Sequence, residues 1–291
     1  MKRELVDYAE VMRCVSTLER TDLAQISVLG RSILGREIPV ITLGRGKNAV
    51  LYVGGHRGTE SVCCGLLLDF LTDYVKEYEK KNRVFEYPMS YLYEQRRVIV
   101  IPMLNPDGAE YVCHSVGDDN PLRDRVLRMN GGDDFSAWQA NARGVDLSHN
   151  YDAGFFEYRQ SGMRTDGVIS LGGEFPESEP ETAALCRMLR FRREEIVGVL
   201  SLGTGSGDIY CCCADNLTAK TISVARVLSR FTGYRLFRPE ELRPIGSLTD
   251  WCISSLGRPA FTVQCGTAEG CDRRLTYERL RRVLFSFSCI V

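Results

Sequence analysis

The stretch GGHRGTES, at residues 54–61, brings residue types that could bind a metal close together between two apolar runs. His56 and Glu60 are of the types that bind zinc in proteins. Arg57 lies between them, and a guanidinium is always protonated and has no lone pair to give to a metal. The stretch therefore indicates a metal site at a strand-to-helix turn, but one whose chemistry Arg57 opposes.

Two other patterns could do chemistry of a different kind. GTGSGD, at residues 203–208, has the glycine spacing of some phosphate-binding loops, but it lacks the full fingerprint and no clear helix follows it, which favours a flexible turn. Cys211–Cys213 and Cys265 could supply a thiol nucleophile, which needs a neighbouring base. His149 is the only histidine in range, and the twelve cysteines contain no CxxC pair, so we expect reduced cysteines packed in strands.

The elements that must position these residues alternate between strands and helices along the chain. Central strands that are almost uniformly apolar are typical of a sheet covered on both faces. The pattern predicts a three-layer α/β fold with a mixed, mainly parallel sheet, in one domain over residues 1–291. Strands are predicted at 37–44, 49–54, 96–104, 197–203 and 259–266, and helices at 3–20, 60–81, 178–191, 217–231, 249–257 and 276–288.

The connections between these elements differ in character. NPDG, at residues 105–108, is a strong turn signal directly after an apolar strand. The glycine- and polar-rich residues from 115 to 175 have little periodicity and predict long loops. Sites in such sheets lie beyond the carboxyl ends of the strands, so the turns there are where function is expected.

Composition restricts the partners and the location of the protein. The 291 residues are 44% hydrophobic and 26% charged, with a formal net charge of −1, so we expect neither nucleic acid nor an anionic membrane as a partner. The first residues, MKRELVDYAEVMRC, contain acids where a signal peptide has its apolar core. No apolar run approaches the roughly 20 residues that span a bilayer. These features predict a cytoplasmic protein.

Five further segments follow one another along almost the whole chain. They are LGRSILGREIPVITLG (29–44), VIPMLNPDG (100–108), GVDLSHNYDAGF (144–155), SEPET (178–182) and DWCISSLGRPAFTVQCG (250–266). Together they resemble the carboxypeptidase A-like zinc peptidases. More specifically, they resemble a bacterial branch that includes γ-glutamyl–diamino acid peptidases, which cut cell-wall peptides.

The resemblance implies a zinc ion held by a His-x-x-Glu turn and a distant histidine, with a glutamate that takes a proton from the zinc-bound water. The matching positions here are Arg57, Glu60 and Gly203 for the metal, and Gln264 for the general base. Glu60 is the one metal ligand retained at these positions, and a neutral amide cannot act as a base near neutral pH. We therefore expect no zinc and no other cofactor.

The resemblance also implies a set of residues that bind the substrate. Arg143 and His149 are candidates for holding a carboxylate, and Ser148 stands where the family usually has asparagine. Asp146 matches an aspartate that orients the first zinc histidine. A tyrosine that closes over the substrate would fall near Leu242.

Arg57 suggests what replaces the metal. We expect its guanidinium to lie between Glu60 and Asp146 and to pair with both, because a buried carboxylate left unpaired is costly. The sequence then predicts a non-catalytic family member that binds a peptide, a carboxylate ligand or a partner protein in its cleft. The alternative is an active metallocarboxypeptidase, acting on peptides or on cell-wall γ-glutamyl–diamino acid bonds, with a displaced zinc bound through His56 and Glu60.

Overall fold

The described part of the chain forms an eight-stranded sheet and a separate two-stranded sheet. The computed structural model describes residues 5–160, 172–211, 217–237, 245–266 and 272–291. Its strands are β1 (Ala24–Arg31), β2 (Glu37–Leu43), β3 (Ala49–Val53), β4 (Arg83–Val84), β5 (Tyr87–Pro88), β6 (Arg97–Ile101), β7 (Ile196–Gly203), β8 (Asp208–Tyr210), β9 (Arg235–Leu236) and β10 (Ala260–Gln264).

The large sheet has the order β1-β2-β6-β3-β7-β10-β8-β9, and β4 pairs with β5 in the small one. Strands β6, β3, β7 and β10 are parallel to one another. At one side β1 and β2 run antiparallel, and at the other β8 is antiparallel to β10. The predicted mixed, mainly parallel sheet is confirmed.

The helices lie between the strands in sequence. Among those described, none combines the length and the apolar character that crossing a bilayer requires. The helices are α1 (Tyr8–Glu19), α2 (Ser61–Glu79), α3 (Met89–Gln95), α4 (Pro106–His114), α5 (Arg123–Asn130), α6 (Phe155–Gln160), α7 (Pro180–Phe191), α8 (Ala219–Thr232), α9 (Leu248–Ser254) and α10 (Arg273–Ile290), with one 3₁₀ turn at Leu147–His149.

Helices cover both faces of the large sheet. A side chain at Gly198 of β7 would meet Phe287 of α10, whereas Thr262 of β10 hydrogen-bonds to Thr249 of α9. Successive residues of a strand face opposite sides, so Gly203, five residues after Gly198, lies on the α9 face. The predicted three-layer arrangement is confirmed. Position 203, at the end of β7, faces the layer that contains α9.

Aromatic packing fixes α10 against β3. The ring centroid of Phe70 lies 5.5 Å from that of Tyr52 and 5.2 Å from that of Phe285, and both pairs pack edge to face. The buried hydroxyl of Tyr52 donates to the carbonyl of Leu284 at 2.6 Å, so its polar atom is satisfied. This contact holds the central strand whose carboxyl end leads into residues 54–60.

Parallel register brings the expected turns to one edge of the sheet. Val53, the last residue of β3, pairs with Ile101 of β6 and with Ser201 of β7. Gln264, the last residue of β10, pairs with Gly203. The carboxyl ends of four strands therefore meet, as the site position in such folds requires.

The structure adds helices to two of the predicted connections. In NPDG, the side chain of Asn105 accepts a hydrogen bond from the N–H of Gly108 at 2.9 Å, and Pro106 takes the first helical position of α4. The same residue types that favour a turn also begin a helix. Residues 115–175 contain α5 and α6 and are not all loop. Strand β1 was not predicted, because its burial follows no regular alternation.

A buried acidic network lies where α7 meets the loop that precedes residues 144–150. Glu181 is fully buried, and its carboxylate accepts hydrogen bonds from the N–H of Ile33 at 3.3 Å and the side-chain amide of Asn141 at 3.5 Å. Burial raises the pKa of Glu181 to about 8, and the neighbouring carboxylates of Asp107 and Glu179 add to this effect. At neutral pH Glu181 therefore holds a proton.

We expect this proton to make stability depend on pH. The folded state keeps it up to about pH 8, whereas the unfolded chain releases it near the ordinary value of a glutamate, so stability falls as pH rises through this interval. From about pH 6 to about pH 8 the loss is roughly 2 kcal/mol, and above that it levels off. Urea denaturation at several pH values measures how the free energy of unfolding changes with pH. The Glu181→Gln variant should lose the decrease between about pH 6 and about pH 8. An unchanged pH dependence in this variant would contradict the assignment.

Candidate functional site

A cavity of about 580 Å³ lies at the carboxyl ends of β3, β7 and β10. This volume is in the range of small-molecule and short-peptide sites. All four positions predicted for the metal and the general base line it, together with two of the three predicted for the substrate. The lining residues are 56, 57, 60, 148, 149, 201–204, 210, 245, 247–250, 262 and 264.

Arg57 points into this cavity and not toward solvent. Its Nε–H donates to Asp146, at 3.1 Å from Oδ2 and 3.4 Å from Oδ1. Its Nη2 lies 3.2 Å from Nε2 of His149. The expected ion pair with Asp146 is confirmed, and the charge of Asp146 raises the pKa of Arg57 above its ordinary value.

The expected ion pair with Glu60 is absent among the described residues. The two residues are joined instead through the backbone, where the N–H of Arg57 donates to Oε2 of Glu60 at 3.1 Å. Burial raises the pKa of Glu60, although Arg57 and a backbone hydrogen bond from Thr204 act in the opposite direction. Arg57 therefore compensates the charge of one carboxylate, Asp146, by direct contact.

Asp146 is buried and accepts hydrogen bonds from Arg57 and from two donors of Ser148. The N–H of Ser148 donates to its Oδ1 at 2.9 Å, and the hydroxyl of Ser148 donates to the same atom at 2.6 Å. Burial alone would raise the pKa of Asp146, but the charge of Arg57 and the bonds from Ser148 outweigh it, so the pKa lies below its ordinary value. Asp146 thus stays ionised and holds Arg57 in place.

His149 is held as a neutral ring. Its Nδ1 lies 2.8 Å from the carbonyl oxygen of Ile245, so it carries the proton and donates. Its Nε2 faces Nη2 of Arg57, which can only donate, so Nε2 must accept. Burial also lowers the pKa of His149, and the ring stacks on Tyr158 with centroids 4.3 Å apart.

Gly203 and Gln264 stand side by side at the ends of β7 and β10. A Cβ atom added to Gly203 would lie 3.3 Å from Oε1 of Glu60, so this position faces the one predicted metal ligand that remains. Gln264 is half-buried and lines the same cavity. The structure brings positions 57, 60, 203 and 264 together, but their side chains offer a metal one carboxylate only.

The displaced zinc site is not assembled in the described residues. Nε2 of His56 shares a hydrogen bond with the hydroxyl of Tyr151 at 2.9 Å, and burial lowers the pKa of His56 to about 4, so the ring is neutral. Across the part of the chain that the structure describes, no three His, Cys, Asp or Glu side chains are grouped to hold a metal ion. The residues present do not fit the zinc ion that the resemblance implies.

The residues predicted to hold a substrate carboxylate are not brought together. Arg143 does not line the cavity, is half-exposed, and its Nη1 lies 3.8 Å from Oε2 of Glu179. Ser148 and His149 reach the cavity, but their donor groups are bonded to Asp146 and to Ile245. Leu242, Cys212 and Cys213 lie outside the described residues.

Two residues that contact His149 were missed from the sequence. Ile245 contributes only its carbonyl oxygen, a group that every residue has, so no sequence signal exists for it. Tyr158 lies on α6, in a stretch predicted as loop. A tyrosine nine residues after His149 would have been a signal only if α6 had been recognised.

Comparison with known proteins gives the site a family context. Residues 11–226 match the model of the zinc carboxypeptidase family, peptidase family M14. The chain is 27% identical over 263 residues to γ-D-glutamyl-L-diamino acid endopeptidase 1 of Lysinibacillus sphaericus, covering 90% of this chain and 65% of that protein. It is 26% identical over 187 residues to carboxypeptidase B of Rattus norvegicus, covering 63% of this chain and 41% of that protein. The chain thus spans less than two thirds of either relative.

Solved structures agree on the fold. Bovine thrombin-activatable fibrinolysis inhibitor, in complex with a tick carboxypeptidase inhibitor, superposes with a TM-score of 0.71 at 18% identity, over 99% of this chain and 96% of its own. Murein-tripeptide amidase from Escherichia coli O157 gives a TM-score of 0.56 at 19% identity, over 92% and 97%. At these identities the likeness extends to the fold alone.

Proposed function

The chain belongs to the zinc carboxypeptidase family, and we propose that it is a member that has lost catalysis and uses its cavity to bind a peptide. The observation behind this proposal is the position of Arg57. Its guanidinium lies inside the cavity, paired with Asp146 and bonded to His149. A permanent cation at this place repels a divalent metal and cannot bind one.

The chemistry of the other positions supports the same proposal. Family members use a metal-bound water whose pKa the metal lowers, and a carboxylate that takes its proton. Gly203 has no side chain that could bind a metal, and Gln264 has an amide that stays neutral and takes up no proton at physiological pH. Without the ion and the base, water in the cavity is not activated.

A peptide is the ligand class that fits this cavity. Its volume of about 580 Å³ remains open although Arg57 enters it. The L. sphaericus relative is named for cleavage of a peptide bond to a diamino acid, so a cell-wall peptide is one source of such a ligand. A cleft of this fold can bind without cleaving, because function depends on the residues of the site and not on the fold.

We expect the purified protein to contain no stoichiometric zinc and to leave peptides intact. Metal content measured by mass spectrometry after dialysis against zinc should be far below one ion per chain. Peptides with free C-termini and γ-glutamyl–diaminopimelate peptides should show no cleavage above that by the Glu60→Gln variant. About one zinc per chain, with hydrolysis abolished by a chelator and by Glu60→Gln, would instead establish the displaced-zinc enzyme.

A further inference from the structure

We infer that the cavity binds the neutral carbonyl or carboxamide groups of a peptide and discriminates against a free terminal carboxylate. This inference rests on the proposed function and specifies its ligand. It rests on which hydrogen-bond donors and charged groups of the cavity already have protein partners and which remain available to a ligand. A carboxylate needs an available cation or several free donors, because its transfer from water is otherwise costly.

The cations that would hold a carboxylate are not available in the described lining. His149 is neutral, since Nδ1 donates to the carbonyl of Ile245 and Nε2 accepts from Arg57. Arg143 lies outside the lining and faces Glu179. Arg57 is the single guanidinium among the lining residues that the structure describes, and Asp146 already balances its charge at 3.1 Å. Glu60 adds no positive charge in either of its protonation states.

Arg57 nevertheless keeps donors that face the cavity. Its Nε is used by Asp146 and one hydrogen of Nη2 by His149, whereas Nη1 has no partner among the described residues. A guanidinium has five N–H donors in one plane, so three N–H groups remain for ligand oxygens. Since the charge is already balanced, these groups act mainly as hydrogen-bond donors, which suits a peptide carbonyl.

Gln264 supplies the complementary group. Its side chain is half-buried, lines the cavity and has no bond to another described residue. A carboxamide both donates and accepts, which matches the two groups of an amide. The glutamate that the family has at this position could only accept when ionised. The replacement that removes the base therefore also makes this side of the cavity suited to an uncharged ligand.

The remaining wall sets a second requirement. Leu248 and Tyr210 border the cavity, and serine and threonine residues with neutral hydroxyl groups also line it. Such a wall favours an apolar side chain next to the amide. The ligand class is thus a peptide segment with an apolar residue and no free carboxylate at the anchoring position.

Calorimetric titration with a matched pair of ligands tests this inference. N-acetyl-alanyl-leucinamide and N-acetyl-alanyl-leucine differ only in the terminal group. At pH 7.5 we expect the amide to bind at least roughly tenfold more tightly, which corresponds to about 1.4 kcal/mol. Equal binding, tighter binding of the acid, or no binding of either ligand at millimolar concentration would overturn the inference.

Variants connect the preference to the named groups. Gln264→Leu keeps the size of the side chain but removes both hydrogen-bonding groups, so it should weaken the amide several-fold and leave the acid nearly unchanged. Arg187→Ala, which changes an exposed arginine of α7 far along the chain from the lining residues, is the matched control and should alter neither affinity. A loss in the control equal to that of Gln264→Leu would contradict the assignment. Zinc binding or cleavage, in contrast, would overturn the proposed function itself.

Discussion

Replacing Arg57 with methionine will lower the free energy of unfolding by about 3 kcal/mol. Asp146 is 1% exposed, and its pKa lies below the ordinary value because Arg57 and Ser148 keep it ionised. Methionine retains much of the aliphatic length of arginine but not the charge. The variant therefore leaves an ionised carboxylate buried with only the two donors of Ser148. Urea denaturation at neutral pH, with the slope against urea checked for constancy, measures the change.

Two comparisons isolate the charge from the packing. In the double variant Arg57→Met/Asp146→Asn the carboxylate is gone as well, and most of the lost stability should return, to within about 1 kcal/mol of the parent. Arg31→Met breaks an exposed pair with Glu37 and should change stability by no more than about 1 kcal/mol. If Arg57→Met costs no more than Arg31→Met, then Asp146 does not depend on Arg57.

The pairing of Arg57 with Asp146 could be predicted from sequence because it follows from a general cost. An always-charged side chain beside a buried segment requires a counterion, and the resemblance pointed to position 146. Pairing with Glu60 could not be decided in the same way. Both carboxylates are within reach of a guanidinium, and the choice depends on the turn at residues 57–60, where the backbone of Arg57 already satisfies Glu60.

The convergence of positions 57, 60, 203 and 264 could also be predicted, since each ends or follows a strand of a mainly parallel sheet. The absence of Arg143 from the cavity lining could not be predicted in this way. Arg143 stands three residues before Asp146 in the chain, yet it does not line the cavity, and its Nη1 lies 3.8 Å from Oε2 of Glu179. The loop that contains it is closed by a bond from the backbone N–H of Asn141 to the carbonyl of Val145. Loop conformation of this kind leaves no periodicity in a sequence.

The protonation of His149 was likewise beyond the sequence. A histidine in a substrate-binding segment suggests a cation for a carboxylate, and its tautomer depends on what each ring nitrogen contacts. One contact is the backbone carbonyl of Ile245, 96 residues away, and the other is Arg57. Arg57 stands where the family has a metal ligand, and its contact with Nε2 also keeps His149 neutral. The loss of the metal ligand and the loss of a cationic His149 therefore both affect which ligand the cavity binds.

The triple variant Arg57→His/Gly203→His/Gln264→Glu will take up about one zinc ion per chain, where the parent takes up none. A Cβ at Gly203 would lie 3.3 Å from Glu60 and 3.9 Å from Thr262, and no positive backbone angle prevents a side chain there. A histidine at position 57 would have Asp146 beside it to orient the ring. Two histidines and Glu60 then form the three-ligand set of a catalytic zinc site.

Cobalt substitution gives this prediction a readout that does not depend on activity, because tetrahedral cobalt bound by nitrogen and oxygen ligands absorbs visible light. The matched control carries Gly203→Ala in place of Gly203→His, so it adds a Cβ without adding a ligand. We expect the triple variant to bind cobalt and zinc at least about a hundredfold more tightly than this control, since each lost protein ligand weakens a three-ligand site strongly. Equal metal uptake by two folded variants would mean that the ends of β3 and β7 no longer hold the geometry of a metal site, and that more than three side chains separate this protein from its catalytic relatives.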